Sequence, residues 1–71
     1  MAKIAALKTN IDEASATITY VGKAATSALT SKAVWKIMKI EVSGSITTIK
    51  YADGNFEFDN IWDNRASLTY N

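Results

Sequence analysis

Seven oxygen-bearing side chains crowd the last third of the chain: Asp53, Asn55, Glu57, Asp59, Asn60, Asp63 and Asn64. Such a segment could hold Ca²⁺, which takes about six to eight oxygens from a loop of defined spacing. The order is not that of an EF-hand, because Gly54 comes second. Asn55, Glu57 and Asp59 on an extended strand also diverge from any single point. Turn and capping roles account for these residues, and no metal ligand is expected. Glu57 and Asp59 could be paired carboxylates at roughly glycosidase spacing. However, 71 residues offer no cleft for a sugar, and Lys50 is placed to neutralise Glu57. The chain has no His and no Cys. Ser-His and Cys-His nucleophilic catalysis and the usual Zn, haem and Fe–S sites are thereby excluded. Glycines at 22, 44 and 54 are too scattered for a phosphate-binding loop. The expectation is a non-enzyme with no catalytic or cofactor-binding residue, no cofactor and no small-molecule substrate.

Nucleic acid is the remaining ligand class with residues to suit it. Small antiparallel barrels bind single strands with aromatic side chains set among basic ones. Trp35, Lys36, Lys39 and Lys50 are available, and Trp35, Lys39 and Lys50 could share a sheet face. Against this stand a single Arg, a net charge of +1 and an acidic C-terminal part. Residues 1–50 carry seven lysines against Asp12, Glu13 and Glu41, a balance of +4. Residues 51–71 carry Arg65 against Asp53, Glu57, Asp59 and Asp63, a balance of −3. Such an asymmetry fits a mixed soluble surface, or a basic part that meets a neighbour's acidic part.

These side chains need a frame, and 71 residues with 48% hydrophobic content allow one small domain. A chain of this size buries only about 60% of its unfolded surface, so its folding balance is close to zero without a staple. Disulfides are excluded, which leaves self-association or docking on a larger body. No apolar run is long enough to span a membrane, and no targeting segment is read at the N-terminus.

Residues 3–14 are readable in two ways. Ile4, Leu7, Ile11 and Ala14 have the spacing of an amphipathic helix, while extended pairing suits Lys8 to Asp12 equally. Residues 16–22 read as a strand that Gly22 ends or bulges, and 23–32 as a small-residue loop. Residues 33–43 read as a long strand closed by a Gly44-Ser45 hairpin loop, with Gly first as a type II′ turn requires. That turn sets Val42 opposite Thr47, Ile40 opposite Ile49 and Met38 opposite Tyr51. Asp53-Gly54 is a second hairpin signal, setting Tyr51 opposite Phe56 and Ile49 opposite Phe58. Both registers gather Met38, Ile40, Val42, Ile49, Tyr51, Phe56 and Phe58 on one apolar face. The opposite face pairs Lys50 with Glu57 and sets Lys39 against Lys50. Trp35 and Ile37 fall on this second face, so either the sheet curls there under a cover or Trp35 is exposed for a partner. Asp59 or Asn60 can cap a short helical turn over 60–65. Leu68 and Tyr70 suggest a last short strand, and Trp62 a plug at the end of the sheet.

Three stretches of the C-terminal half carry a resemblance. They are Ala33-Val34-Trp35-Lys36-Ile37-Met38-Lys39-Ile40, Ile49-Lys50-Tyr51-Ala52-Asp53-Gly54-Asn55, and Phe58-Asp59-Asn60-Ile61-Trp62-Asp63-Asn64-Arg65-Ala66-Ser67-Leu68-Thr69-Tyr70. With Thr19-Tyr20-Val21-Gly22-Lys23-Ala24 upstream, the chain resembles small stand-alone open reading frames of tailed phages and environmental viral sequence. That family is associated with virion structural genes. The resemblance implies a virion or tail-associated assembly role, made in the host cytoplasm and carried in the particle; it supplies no catalytic residue. The combined expectation is an all-β chain, an antiparallel meander of four to five short strands forming a small barrel or sandwich. Residues 1–14 would be an N-terminal arm and 15–71 the β domain. Partners would be further copies of the chain or a larger virion protein, with nucleic acid as the alternative and no membrane. The candidate interaction surface is Ile4, Leu7, Ile11, Trp35, Ile37, Lys39 and Lys50.

Overall fold

The Gly44-Ser45 turn fixes the register of the longest strand pair. In the computed structural model, which describes residues 6–71, Gly44 has φ +60° and Ser45 is not among the positive-φ residues, as a type II′ loop requires. Strand β3 (Ala33–Ser43) therefore pairs with β4 (Ile46–Tyr51) in the expected register, with Val42 opposite Thr47, Ile40 opposite Ile49 and Met38 opposite Tyr51. On its other side β3 pairs with β2 (Ile18–Ala25), and β2 with β1 (Leu7–Asp12), all antiparallel. β5 (Asn60–Ile61) pairs with the start of β3, and a 3₁₀ helix follows over Trp62–Ser67. The fold is an all-β meander in one sheet, ordered β1-β2-β3-β4, with β5 on β3. Residues 7–12, readable as helix or strand, are thus a strand of this sheet. β2 runs on to Ala25, so Gly22 lies within it, and residues 23–25 belong to it rather than to the following loop. Ile4, expected at the interaction surface, lies outside the described residues.

The second hairpin does not form. Asp53 and Gly54 both have positive φ, 60° and 68°, as a two-residue hairpin loop would want. Yet residues 53–59 return as an irregular loop, not a strand. The edge of residues 51–53 is taken instead by the chain's last three residues. Tyr51 and Asn71 exchange backbone hydrogen bonds of 3.2 and 3.1 Å, and the Asp53 amide donates to the Thr69 carbonyl at 2.9 Å. Ala52 pairs with Tyr70 and donates its amide to the Ile37 carbonyl at 3.0 Å. Nor does Asp59 or Asn60 cap the helix: the N-cap is Ile61, with no side-chain cap hydrogen bond.

The core lies on the face of Trp35. Trp35, Ile37, Ala24, Ala52, Tyr20 and Trp62 are buried together, with Ile18, Ala28, Leu68 and Tyr70 against them. Trp35 and Trp62 stack at 5.6 Å between ring centroids, tilted by 35°. Trp35 Nε1 donates to the Leu29 carbonyl at 3.0 Å, and Lys8 Nζ caps its ring at 5.5 Å while donating to the Ala28 carbonyl. Trp35 is therefore covered and not exposed for a partner, and the cover is the segment around Trp62. Gly22 makes room for it, because the two indoles press on the bare Cα of that residue.

Arg65 ties this cover to the first strand. Its guanidinium lies 4.6 Å from the Trp62 ring centroid, donates to Asp12 Oδ2 at 2.9 Å and to the Trp62 carbonyl at 3.2 Å. A part-exposed ion pair contributes little alone, but this one adds stacking and a backbone bond. Arg65→Ala is expected to cost about 1–2 kcal/mol in chemical denaturation, with Arg65→Lys recovering less than half, because a point charge cannot replace the planar stack.

Tyr70 reports on the same closure. Its hydroxyl donates to the Arg65 carbonyl at 2.8 Å, and its ring lies 5.8 Å from that of Tyr20. Burial, and then the neighbouring Tyr20, push the Tyr70 hydroxyl up to about 12 from 10.0. The folded state thus favours the neutral phenol. The stability this contributes is intact below pH 10.0 and is lost as pH rises through about 12. Melting curves between those limits should show a steeper fall for the wild-type chain than for Tyr70→Phe.

Candidate functional site

β-strand alternation leaves a second face to the sheet, and none of the described residues forms a cover over it. The registers place Leu7, Thr9 and Ile11 of β1 beside Ala25, Lys23 and Val21 of β2. Val21 and Thr19 stand beside Met38 and Ile40 of β3. Met38, Ile40 and Val42 stand in turn beside Tyr51, Ile49 and Thr47 of β4. The apolar face read from the sequence is therefore real in β3 and β4, and β1 and β2 extend it. It is not the buried face. Ile11 is 65% exposed, Ile49 53% and Leu7 49%, and Val42 is exposed as well. Scattered surface apolar residues need no explanation, but a contiguous apolar face across four strands does.

The loop after Ala52 adds aromatic rings at one end of this face. Tyr51 and Phe56 meet edge to face at 4.7 Å, so these two rings do come together, although by way of a loop and not a strand pair. Phe56 is still 67% exposed, and Phe58 is exposed too. Lys36 Nζ sits over both rings, at 5.7 Å from Phe56 and 4.8 Å from Phe58. Lys36 also stands directly opposite Lys23, whose ammonium donates to Thr9 Oγ1 at 3.2 Å. These two lysines are the charged strand residues on this face; its strands carry no carboxylate.

The candidate residues separate by face. Leu7 and Ile11 belong to the uncovered face. Trp35 and Ile37 are 0% and 1% exposed, so they are core and not contact surface. Lys39 and Lys50 lie directly opposite each other on the core side of the sheet, beyond the tryptophans. Glu41 reconciles them, at 3.1 Å from Lys39 and 3.7 Å from Lys50. The Lys39 hydrogen bond, with help from Lys50 and against some burial, lowers the pKa of Glu41 below the ordinary carboxylate value. Glu57, expected to pair with Lys50, instead sits in the exposed loop, its amide bonded to Asn55 Oδ1 at 2.9 Å. Asn55, Glu57 and Asp59 are not on a strand, and among the described residues no group of acidic side chains is arranged to hold a metal ion. Phe56, Phe58, Met38, Ile40, Val42 and Ile49 complete the surface. Their common face was legible, but which face the chain would cover was not.

Compared with protein-family models, with curated proteins and with solved structures, the chain gave no match.

Proposed function

We propose that this chain is a non-enzymatic structural or assembly protein of a phage particle, and that it binds its neighbour through the uncovered face of its sheet. The observation that carries the contact role is the exposure of Ile11, Ile49 and Phe56 on one continuous apolar face. A chain this small gains from covering such a face, since its own core supplies little stability. The particle setting rests on the resemblance of residues 19–24, 33–40, 49–55 and 58–70 to small phage reading frames. The test is mass spectrometry of purified particles from a phage that encodes the chain. The chain is expected at a fixed copy number per particle, with Ile49→Lys lost from the particles while it accumulates in lysate. Particles without the wild-type chain contradict the proposal.

A second reading has one observation in its favour. Lys36 over Phe56 and Phe58, with Lys23 alongside, is a cation-and-aromatic cluster of the kind that binds single strands. It is not the cluster around Trp35, which is buried. Glu57 and Asp59 in the same loop oppose phosphate. Anisotropy of a labelled oligonucleotide decides it: binding that weakens with salt supports this reading, and none at low salt removes it.

A further inference from the structure

We infer that the occupant of the uncovered face is a second copy of the chain, packed face to face about a two-fold axis that runs across the strands; this rests on the contact role proposed above. Area is the first argument. Four strands about 4.8 Å apart span about 19 Å, and residues 34–42 at about 3.4 Å each run about 27 Å. β1 and β4 are shorter than β3, but Phe56 and Phe58 extend the face at one end. The flat footprint is roughly 500 Å² per copy, before side-chain relief adds to it. Two copies together thus reach the ~1,000 Å² that a specific interface needs. Two sheets joined in this way make a sandwich with an ordinary spacing of about 10 Å.

Charge selects the axis. The face has five levels along its strands: Val34 with Ala25 and Leu7, then Lys36 with Lys23 and Thr9, then Met38 with Val21, Ile11 and Tyr51, then Ile40 with Thr19 and Ile49, then Val42 with Thr47. An axis parallel to the strands keeps each level over itself. It would bring two lysine pairs about 10 Å apart across a drying interface, with no carboxylate between them. An axis across the strands, at the middle level of Met38 and Ile11, exchanges the ends instead. The lysine pairs then stand about 14 Å apart along the strands, beyond the screening length of about 8 Å. Their stems and the Phe56 and Phe58 rings lie over the partner's Ile40 and exposed Ile49. The ammonium groups reach water at the rim, as lysines on apolar surfaces do.

The test uses the full chain, and the absence of Cys makes crosslinking clean. Light-scattering chromatography should give twice the 7.7 kDa chain mass for the wild type and the single-chain mass for Ile49→Lys and for Ile11→Lys. Unchanged near-ultraviolet circular dichroism from the buried tryptophans shows that both variants stay folded. Under oxidation the double variant Lys36→Cys with Ile40→Cys should form a covalent dimer, and Lys36→Cys alone should not. A wild-type chain that stays at 7.7 kDa at ~100 μM overturns the inference, as does a covalent dimer from Lys36→Cys alone. If the wild type is monomeric yet Ile49→Lys is lost from particles, the second copy is refuted and the particle role stands. A dimer missing from particles refutes that role alone.

Discussion

Trp62→Ala removes about half or more of the chain's stability at 25 °C. Truncating a buried tryptophan costs about 3–5 kcal/mol. A domain of 71 residues has only about 4–10 kcal/mol in all. The substitution also strands two neighbours. Trp35 loses the ring stacked at 5.6 Å, and Arg65 loses the ring beneath its guanidinium. Near-ultraviolet circular dichroism and the denaturation midpoint measure the loss. Phe56→Ala is the control: a larger exposed area is removed, but from the uncovered face, and stability should move by no more than about 0.5 kcal/mol. Equal losses from the two substitutions would mean that the core has been placed on the wrong face.

Gly22→Ala is the second large effect, and its sign is the informative part. In a strand, alanine would ordinarily gain about 0.5–1 kcal/mol over glycine through chain entropy. Here an added Cβ would press on the Trp62 ring at Cε3, and would meet Cζ3 at 2.6 Å and Trp35 Cε3 at 3.0 Å. Both rings are held in the core, so neither can swing aside. The net cost is about 1–3 kcal/mol, or a melting temperature lower by roughly 5–20 °C. The cost should shrink in a Trp62→Leu background, where the clashing ring atoms are gone; a cycle of the four chains measures that coupling.

The two residues also show where the sequence was readable. Alternation over 33–43 and the Gly44-Ser45 turn are local signals, and local geometry settled the β3–β4 register as read. The Asp53-Gly54 signal was equally local, and both residues do take positive φ. It failed because residues 69–71 compete for the same edge, and no local pattern announces a partner so distant in the chain. The core face was hidden for a related reason. At Trp35 and Ile37 both faces of β3 are apolar, so alternation cannot rank them. The choice is made by where Trp62 lands; its role as a plug was legible, but not the face it would plug, and the strand glycine at position 22 was the other trace. Read as a strand end or a bulge, that glycine is a seat for two indoles. Leu7 and Ile11 were named as contact residues from the spacing of a possible helix. They reach the surface as alternate residues of an edge strand.

The sheet buries the Trp35 face and leaves the Ile49 face exposed. Lysine placed on each face in turn, by Ile37→Lys and Ile49→Lys, tests it most directly when both are melted at a concentration low enough for the monomer. Ile49→Lys should keep the tryptophan circular dichroism and melt within a few degrees of the wild-type chain, as a surface change of about 0.5 kcal/mol does. Ile37→Lys, which buries an unpaired charge, should not fold. A folded Ile37→Lys chain beside an unfolded Ile49→Lys chain would contradict the account.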